Sequence, residues 1–205
     1  MLYDRYPALL ECKEEIEKAL RLMIETYENG GKILICGNGG SCADSGHIVG
    51  ELMKGFLSKR PLCEAKKNLI KNAIPEEYEL FTSKLQESLP SIALDSQNAL
   101  ITAFANDVDP DLIYAQSILG YGKKGDLFIG LSTSGNSKNV VFGAKMAKAL
   151  GLKTVALTGK NESKLSEICD ATIKAPETET YKVQEYHLPI YHHLCAETEK
   201  HFFIN

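Results

Sequence analysis

Two short stretches of the chain gather groups that can hold an anion. The first is Cys36-Gly37-Asn38-Gly39-Gly40-Ser41, with three glycines and a hydroxyl in six residues. Glycine lets backbone N–H groups approach an anion closely, and a helix starting here would add unpaired donors and a positive dipole end. Ser41 followed by Asp44 also fits an S-x-x-D capping box, so the plainer reading is that Ser41 only caps that helix. The second stretch is Ser132-Thr133-Ser134-Gly135-Asn136-Ser137, with four hydroxyls in six residues. A capped helix needs one hydroxyl. The surplus suits a phosphate monoester, whose three oxygens accept several hydrogen bonds together. Neither stretch matches GxGxxG or GxxxxGK[ST], which disfavours a dinucleotide or a nucleoside triphosphate.

The elements around these stretches are of one kind. Residues from about 6 to 28 space Leu9, Leu10, Ile16, Leu20, Met23 and Ile24 at helical intervals, which predicts a long amphipathic helix, closed by Gly30 and Gly31. Lys32 to Cys36 then reads as a buried strand, followed by the first glycine turn and a helix near Ser41. The same unit recurs as a strand at Asp126 to Ser132, the hydroxyl turn, and a helix from Lys138 to Leu150 before Gly151. Strands follow at Lys153 to Thr158 and Ala171 to Lys174, with a helix near Ser163 to Cys169 between them and a last helix from about Val183 to Phe202. With a further strand at Ser91 to Leu94, the alternation predicts an α/β fold, a parallel sheet with helices on both faces. Both anion-type turns then lie at carboxyl ends of strands, where open α/β sheets bind ligands. Residues 57 to 89 break the alternation, being charged, helix-prone and interrupted by Pro61 and Pro75. They read as a helical insertion, a solvated surface hairpin ahead of a substrate lid.

The chain as a whole sets limits. Its 205 residues suit one domain with one substantial core. The formal net charge is -4 and no basic stripe is present, which speaks against nucleic acid. The six cysteines are scattered, with no CxxC pair, and read as reduced cytosolic thiols. Neither a signal peptide nor a membrane-length apolar run is legible, so the expected location is the cytoplasm.

The motifs CGNGGS, H-x-x-x-E at His47 and Glu51, GDxxxGxSTSGNS, VxLTG and a late QE-x-H segment together resemble the phosphoheptose (sedoheptulose 7-phosphate) isomerases of the sugar isomerase (SIS) superfamily. The resemblance is collinear from about residue 6 to 203, apart from the insertion. It implies a doubly wound five-stranded parallel sheet, flavodoxin-like in order, and a homotetramer with active sites between subunits. It implies phosphate and substrate contacts at Asn38, Gly39, Ser41, Ser132, Thr133, Ser134, Ser137 and Gln184. It also implies a metal position, zinc where one is carried, at His47, Glu51, Gln184 and His192, with proton transfer by Glu51 and His192 and no nucleotide cofactor.

The residues are compatible with these roles. His47 and Glu51 are i and i+4 on one helix face, and Gln184 and His192, eight apart, can share another. Two nitrogens and two oxygens make a plausible tetrahedral zinc site, although glutamine is an unusual ligand. A single histidine is more often a packed or surface residue; His187, His193 and His201 stay in that category. Pro189 removes an N–H inside the last helix and predicts a kink or restart there.

The chain departs from the family pattern at Gly55 beside Lys54, where an arginine is usual, at Lys182, and at Gln97, with Asp95 two residues earlier. Two alternatives therefore stand beside the isomerase. One is a non-catalytic SIS protein that binds a partner, resembling a bacterial replication-initiation factor; the other is an isomerase for a different phosphosugar. Glu51 and His192 favour an enzyme over the first.

Overall fold

The computed structural model describes residues 2–204. A short helix α1 (Leu2–Arg5) and a 3-10 segment (Pro7–Cys12) lead into α2 (Lys13–Glu28). The single helix expected from about residue 6 is therefore divided. Pro7 occupies the start of the 3-10 segment, where its fixed φ and missing N–H are tolerated, and the tighter winding turns Leu9 and Cys12 into the core.

The next elements are β1 (Ile33–Gly37), α3 (Gly40–Met53), the helical pair α4 (Glu64–Ala73) and α5 (Tyr78–Lys84), and β2 (Ser91–Ala93). Then come α6 (Asn98–Asp107), α7 (Ile113–Tyr121), β3 (Leu127–Leu131), α8 (Lys138–Ala149), β4 (Lys153–Thr158), α9 (Lys164–Ile168), β5 (Ala171–Lys174) and α10 (Thr180–Phe203). The five strands form one sheet in the order β2-β1-β3-β4-β5, every pairing parallel.

Successive strand residues point to opposite faces, and both faces are covered. Ile33 and Ile35 of β1, with Leu127, Ile129 and Leu131 of β3, pack on α2, α3 and α10 through Ile16, Met23, Ile48, Leu52 and Ile190. Leu34, Cys36, Phe128 and Ala156 pack on α7, α8 and α9 through Ile118, Val140, Ala144 and Leu165. Of the helices on this second face, α7 and the more loosely packed α6, which lays partly buried Ile101 and Phe104 against it, have no counterpart in the sequence reading.

Residues 57–89 carry the helical pair α4 and α5, packed mainly on each other. The last helix runs without a break through Pro189. Pro189 forfeits one hydrogen bond of a helix 24 residues long, and Tyr186 before it with buried Ile190, Tyr191 and Leu194 after it hold both segments to the same core.

Candidate active site

β1 and β3 are neighbours in register, Gly37 opposite Leu131, so the turns that follow them lie side by side. The connection after β1 leads to β2 on one side while β3 lies on the other, and this reversal of strand order is the crevice where open α/β sheets bind ligands.

The first turn needs its leading glycine. A Cβ on Gly37 would lie 2.5 Å from the Ser41 carbonyl oxygen, because the chain folds straight back into α3. Ser41 does not cap that helix. The N-cap is Gly39 with no side-chain cap bond, and Ser41 sits inside the first turn, buried. The capping box therefore does not form, because the glycine turn starts the helix before Ser41 is reached.

Three residues brace this turn; Tyr114 and Asn139 have no counterpart in the sequence reading, whereas Asp95 stands there as the aspartate two residues before Gln97. Asp95, buried behind it, accepts hydrogen bonds from the Gly37 amide (3.0 Å) and the Ser45 hydroxyl (2.6 Å). Burial pushes the Asp95 carboxyl above its ordinary range, against the pull of those two donors. The Tyr114 hydroxyl donates to the Gly37 carbonyl (2.6 Å), and Asn38 and Asn139 exchange amide hydrogen bonds of 2.8 and 3.0 Å. Asn139 opens α8, so that exchange ties the two turns together. Tyr114 and Asn139, polar residues on neighbouring elements, carry no local pattern that could have marked them.

In the second turn, Ser137 occupies the N-cap of α8 but its hydroxyl caps nothing; it accepts from the Ser132 hydroxyl at 3.0 Å. The exposed Ser134 hydroxyl accepts from the Asn136 amide at 3.1 Å. Gly135 has φ 64°, and a Cβ there would lie 2.1 Å from Ser163 Oγ, so only glycine closes this turn.

Two turns further along α3, three titratable side chains meet. His47 Nε2 lies 3.2 Å from Glu51 Oε1 and 3.5 Å from His192 Nε2. The His47 Nδ1 side faces the Tyr191 hydroxyl (3.0 Å), which itself donates to Asp44 Oδ1 (3.2 Å). With that hydroxyl proton spent on Asp44, Tyr191 accepts from His47 Nδ1–H, and the lone pair of His47 is left on Nε2. That lone pair faces a carboxylate oxygen and a second imidazole, an arrangement that calls for a shared proton or a cation between them. Burial, then the nearby His47, lowers the pKa of His192, which favours its neutral form. Phe56 lies against the His192 ring, centroids 5.5 Å apart. Lys54 Nζ reaches Glu51 Oε2 at 3.3 Å, so a cation stands close to this carboxylate although position 55 is glycine.

The donor set fits a tetrahedral metal in part. Zinc bonds of 2.0–2.1 Å give ligand-to-ligand edges of about 3.3 Å, close to the two distances around His47 Nε2. Gln184 stands apart from the three. Its carboxamide packs on Gly40 at the start of α3, where a Cβ would lie 2.6 Å from Nε2. Among the described residues no group of three or more His, Cys, Asp or Glu is already spaced to hold a metal ion.

The other histidines do ordinary work. His187 is fully buried, its Nε2 3.2 Å from the Thr158 carbonyl oxygen, and burial lowers its pKa to about 4. His201 pairs with Glu28 at the surface, and His193 meets the Tyr3 ring edge-on.

The five-stranded parallel sheet flanked by helices is the fold of the SIS class. SIS-domain family models match residues 89–191 and 8–80. The phosphoheptose isomerase of Aneurinibacillus thermoaerophilus is 37% identical over 190 residues, 93% of this chain and 83% of that protein. The phosphoheptose isomerase of Akkermansia muciniphila is 32% identical over 200 residues, 98% and 92% of the two chains. A phosphoheptose isomerase structure from Francisella tularensis superposes with a TM-score of 0.76 at 28% identity, covering 95% of this chain and 92% of that one. The chain belongs to the phosphoheptose isomerase family.

Proposed function

We propose that the protein interconverts an aldose and a ketose phosphate, sedoheptulose 7-phosphate and the corresponding heptose 7-phosphate. The observation that carries this reading is the convergence of His47, Glu51 and His192 beside the phosphate-type turns. Ser41 and His47 are six residues apart on α3, a rise of about 9 Å. An extended seven-carbon chain built from bonds of about 1.5 Å has a comparable reach, so the reading favours a long sugar over a short one. A partner-binding protein has no use for a convergent acid, base and imidazole at that distance.

In the reaction the phosphate seats in the turns, with Asn38, Gly39, Ser41, Ser132, Thr133, Ser134 and Ser137 as its contacts and Gln184 alongside the first turn. Remote binding energy then positions the reacting carbons. Starting from the ketose, a base removes the C1 proton as O2 is protonated, giving the cis-enediol, which then loses the O1 proton as C2 is protonated and the aldehyde forms. Glu51 and His192 carry these protons. The low pKa of His192 keeps a neutral imidazole available to accept one near neutral pH. Phe56 limits water on one side of that ring.

A zinc ion, one per subunit, would be held by His47, Glu51 and His192, with Gln184 proposed as a fourth donor. When bound, it would polarise the sugar oxygens as a Lewis acid. The assembly is proposed to be a homotetramer in the cytoplasm. Leu57 and Leu188, both exposed, border an open groove of about 490 Å³ beside His192 that a neighbouring subunit could cover. No helix among the described residues is long and apolar enough to cross a membrane.

The deciding experiment incubates the protein with a panel of ketose phosphates, with and without a chelator, and identifies the products. Conversion of the seven-carbon substrate, reduced by the chelator, is expected. Conversion of a shorter or amino sugar alone would move the assignment to another phosphosugar isomerase.

A further inference from the structure

The three converging side chains sit on two helices that meet far apart in sequence, and their spacing depends on how α3 and α10 are held. Two turns beyond His192 on α10 lies Glu199, which is 0% exposed, and its partner Arg60 is also 0% exposed. Arg60 Nε donates to Glu199 Oε1 at 2.8 Å. The rest of the guanidinium closes the end of α3: Nη1 donates to the Leu52 carbonyl (2.6 Å) and Nη2 to the carbonyl of Glu51 itself (3.0 Å). These are carbonyls that a helix C-terminus leaves without intrahelical partners, and a cation there is also favoured by the dipole. Glu199 in turn accepts from the amides of Phe56 (2.7 Å), Leu57 (2.7 Å) and Ser58 (3.1 Å). Burial pushes its carboxyl up, but these amides and the guanidinium outweigh that and hold it below the usual carboxylate range. The segment that carries Phe56 onto the His192 ring is therefore fixed by the same carboxylate.

We propose that Arg60 and Glu199 are positioning residues for the isomerisation, a buried clamp that sets the approach of Glu51 to His192 and seats Phe56 against His192. The inference rests on the proton-transfer reading above. Each side-chain nitrogen of Arg60 and each carboxylate oxygen of Glu199 has a hydrogen-bond partner, and the clamp touches the backbone of one proton-transfer residue and the helix of the other. The phosphate turns, braced separately by Asp95, Tyr114 and Asn139, lie outside it. Loosening the clamp should therefore disturb the chemical step and leave substrate capture intact.

The test compares the parent with Arg60→Lys and with the paired neutral variant Arg60→Gln/Glu199→Gln, which leaves no lone buried charge. Folding is checked by circular dichroism, and kcat and KM for the phosphosugar are measured with Glu51→Gln in parallel. The expected result is folded protein in which kcat falls at least tenfold while KM stays within twofold, with Arg60→Lys the milder of the two. Folded variants with parental kcat overturn the clamp, as does activity that falls only in step with the folded fraction or a kcat and KM that move together. Near-parental turnover by Glu51→Gln would instead overturn the proton-transfer reading itself.

Discussion

The two halves of the site are built in opposite ways. The phosphate turns are local: each is a run of six residues between a strand and a helix, and each is forced into shape by a glycine that admits no side chain, Gly37 in one and Gly135 in the other. The His47, Glu51 and His192 corner is not local at all, since His192 is 145 residues from His47 and reaches it only because α3 and α10 pack together. On the proposed reading, binding is encoded in short motifs at the carboxyl ends of two interior strands, whereas chemistry is encoded in the packing of two helices. Substitutions in the first region should act on affinity and in the second on turnover.

The largest effect separating them is expected from Glu51→Gln, which keeps size and hydrogen-bonding reach but removes a basic carboxylate. General acid–base contributions run to about 10²–10⁴ in rate, and kcat should fall by that order while phosphosugar affinity, measured by calorimetry, is retained. His192→Gln should behave alike, and the double variant should be scarcely worse than either single, because residues acting on one barrier are not additive. Restoration of the rate by excess zinc in either single variant would assign that residue to metal binding instead of proton transfer.

On the other side of the comparison, Ser134→Ala should weaken phosphosugar binding by about 1–3 kcal/mol, the usual cost of deleting a hydrogen bond to a charged group. The exposed Ser134 hydroxyl accepts only from a neighbouring amide within its own turn, so stability should hardly change. Unchanged affinity after Ser132, Ser134 and Ser137 are removed one at a time would leave the hydroxyl turn without a ligand.

The same division decided what could be read from sequence. Strand–turn–helix units announce themselves through buried strands and glycine, so β1, β3, β4 and β5 and both turns fell where expected. The first helix was misjudged at its start because a 3.6-residue period was carried through Pro7, where a 3-10 winding holds Leu9 and Cys12. Ser41 looked like a cap because the S-x-x-D pattern is short, yet the glycines ahead of it had already started the helix. Pro189 was expected to interrupt α10, but burial on both sides outweighs one lost hydrogen bond. Tyr114, Asn139, Arg60 and Glu199 stayed invisible for a common reason: each acts across elements, and no local spacing reports a contact such as the 139-residue separation of Arg60 and Glu199.

A smaller effect concerns acid stability. The folded-state pKa of Glu199 is depressed, so its stabilisation is present above the unfolded carboxylate value, about 4.3, and is lost as pH falls through the lower folded value. Glu199→Gln lacks that titrating group. Urea unfolding between pH 6 and 3 should therefore show a steeper decline in stability for the parent than for the variant, even though the variant is less stable at pH 6. Parallel slopes would mean that Glu199 does not carry this part of the acid response.

The smallest effect is expected farthest from both regions, on the α4–α5 hairpin. Its apolar residues are largely in water, with Leu69 68% and Leu80 56% exposed. Replacing an exposed leucine removes little buried area, and area removed from water is what sets hydrophobic stabilisation, about 25 cal/mol per Å². The hairpin is also tethered at a point that already matters: Arg60 sits at its base, so any signal it sends to the corner passes through the clamp. Leu69→Ser with Leu80→Ser should consequently leave kcat and KM within about twofold of the parent, less than 0.5 kcal/mol by the tenfold-per-1.4 kcal/mol scale. A KM raised by an order of magnitude with kcat intact would mean instead that the hairpin folds over bound sugar as a lid. That outcome would make the hairpin a third region of the site, one that captures substrate without a serine turn.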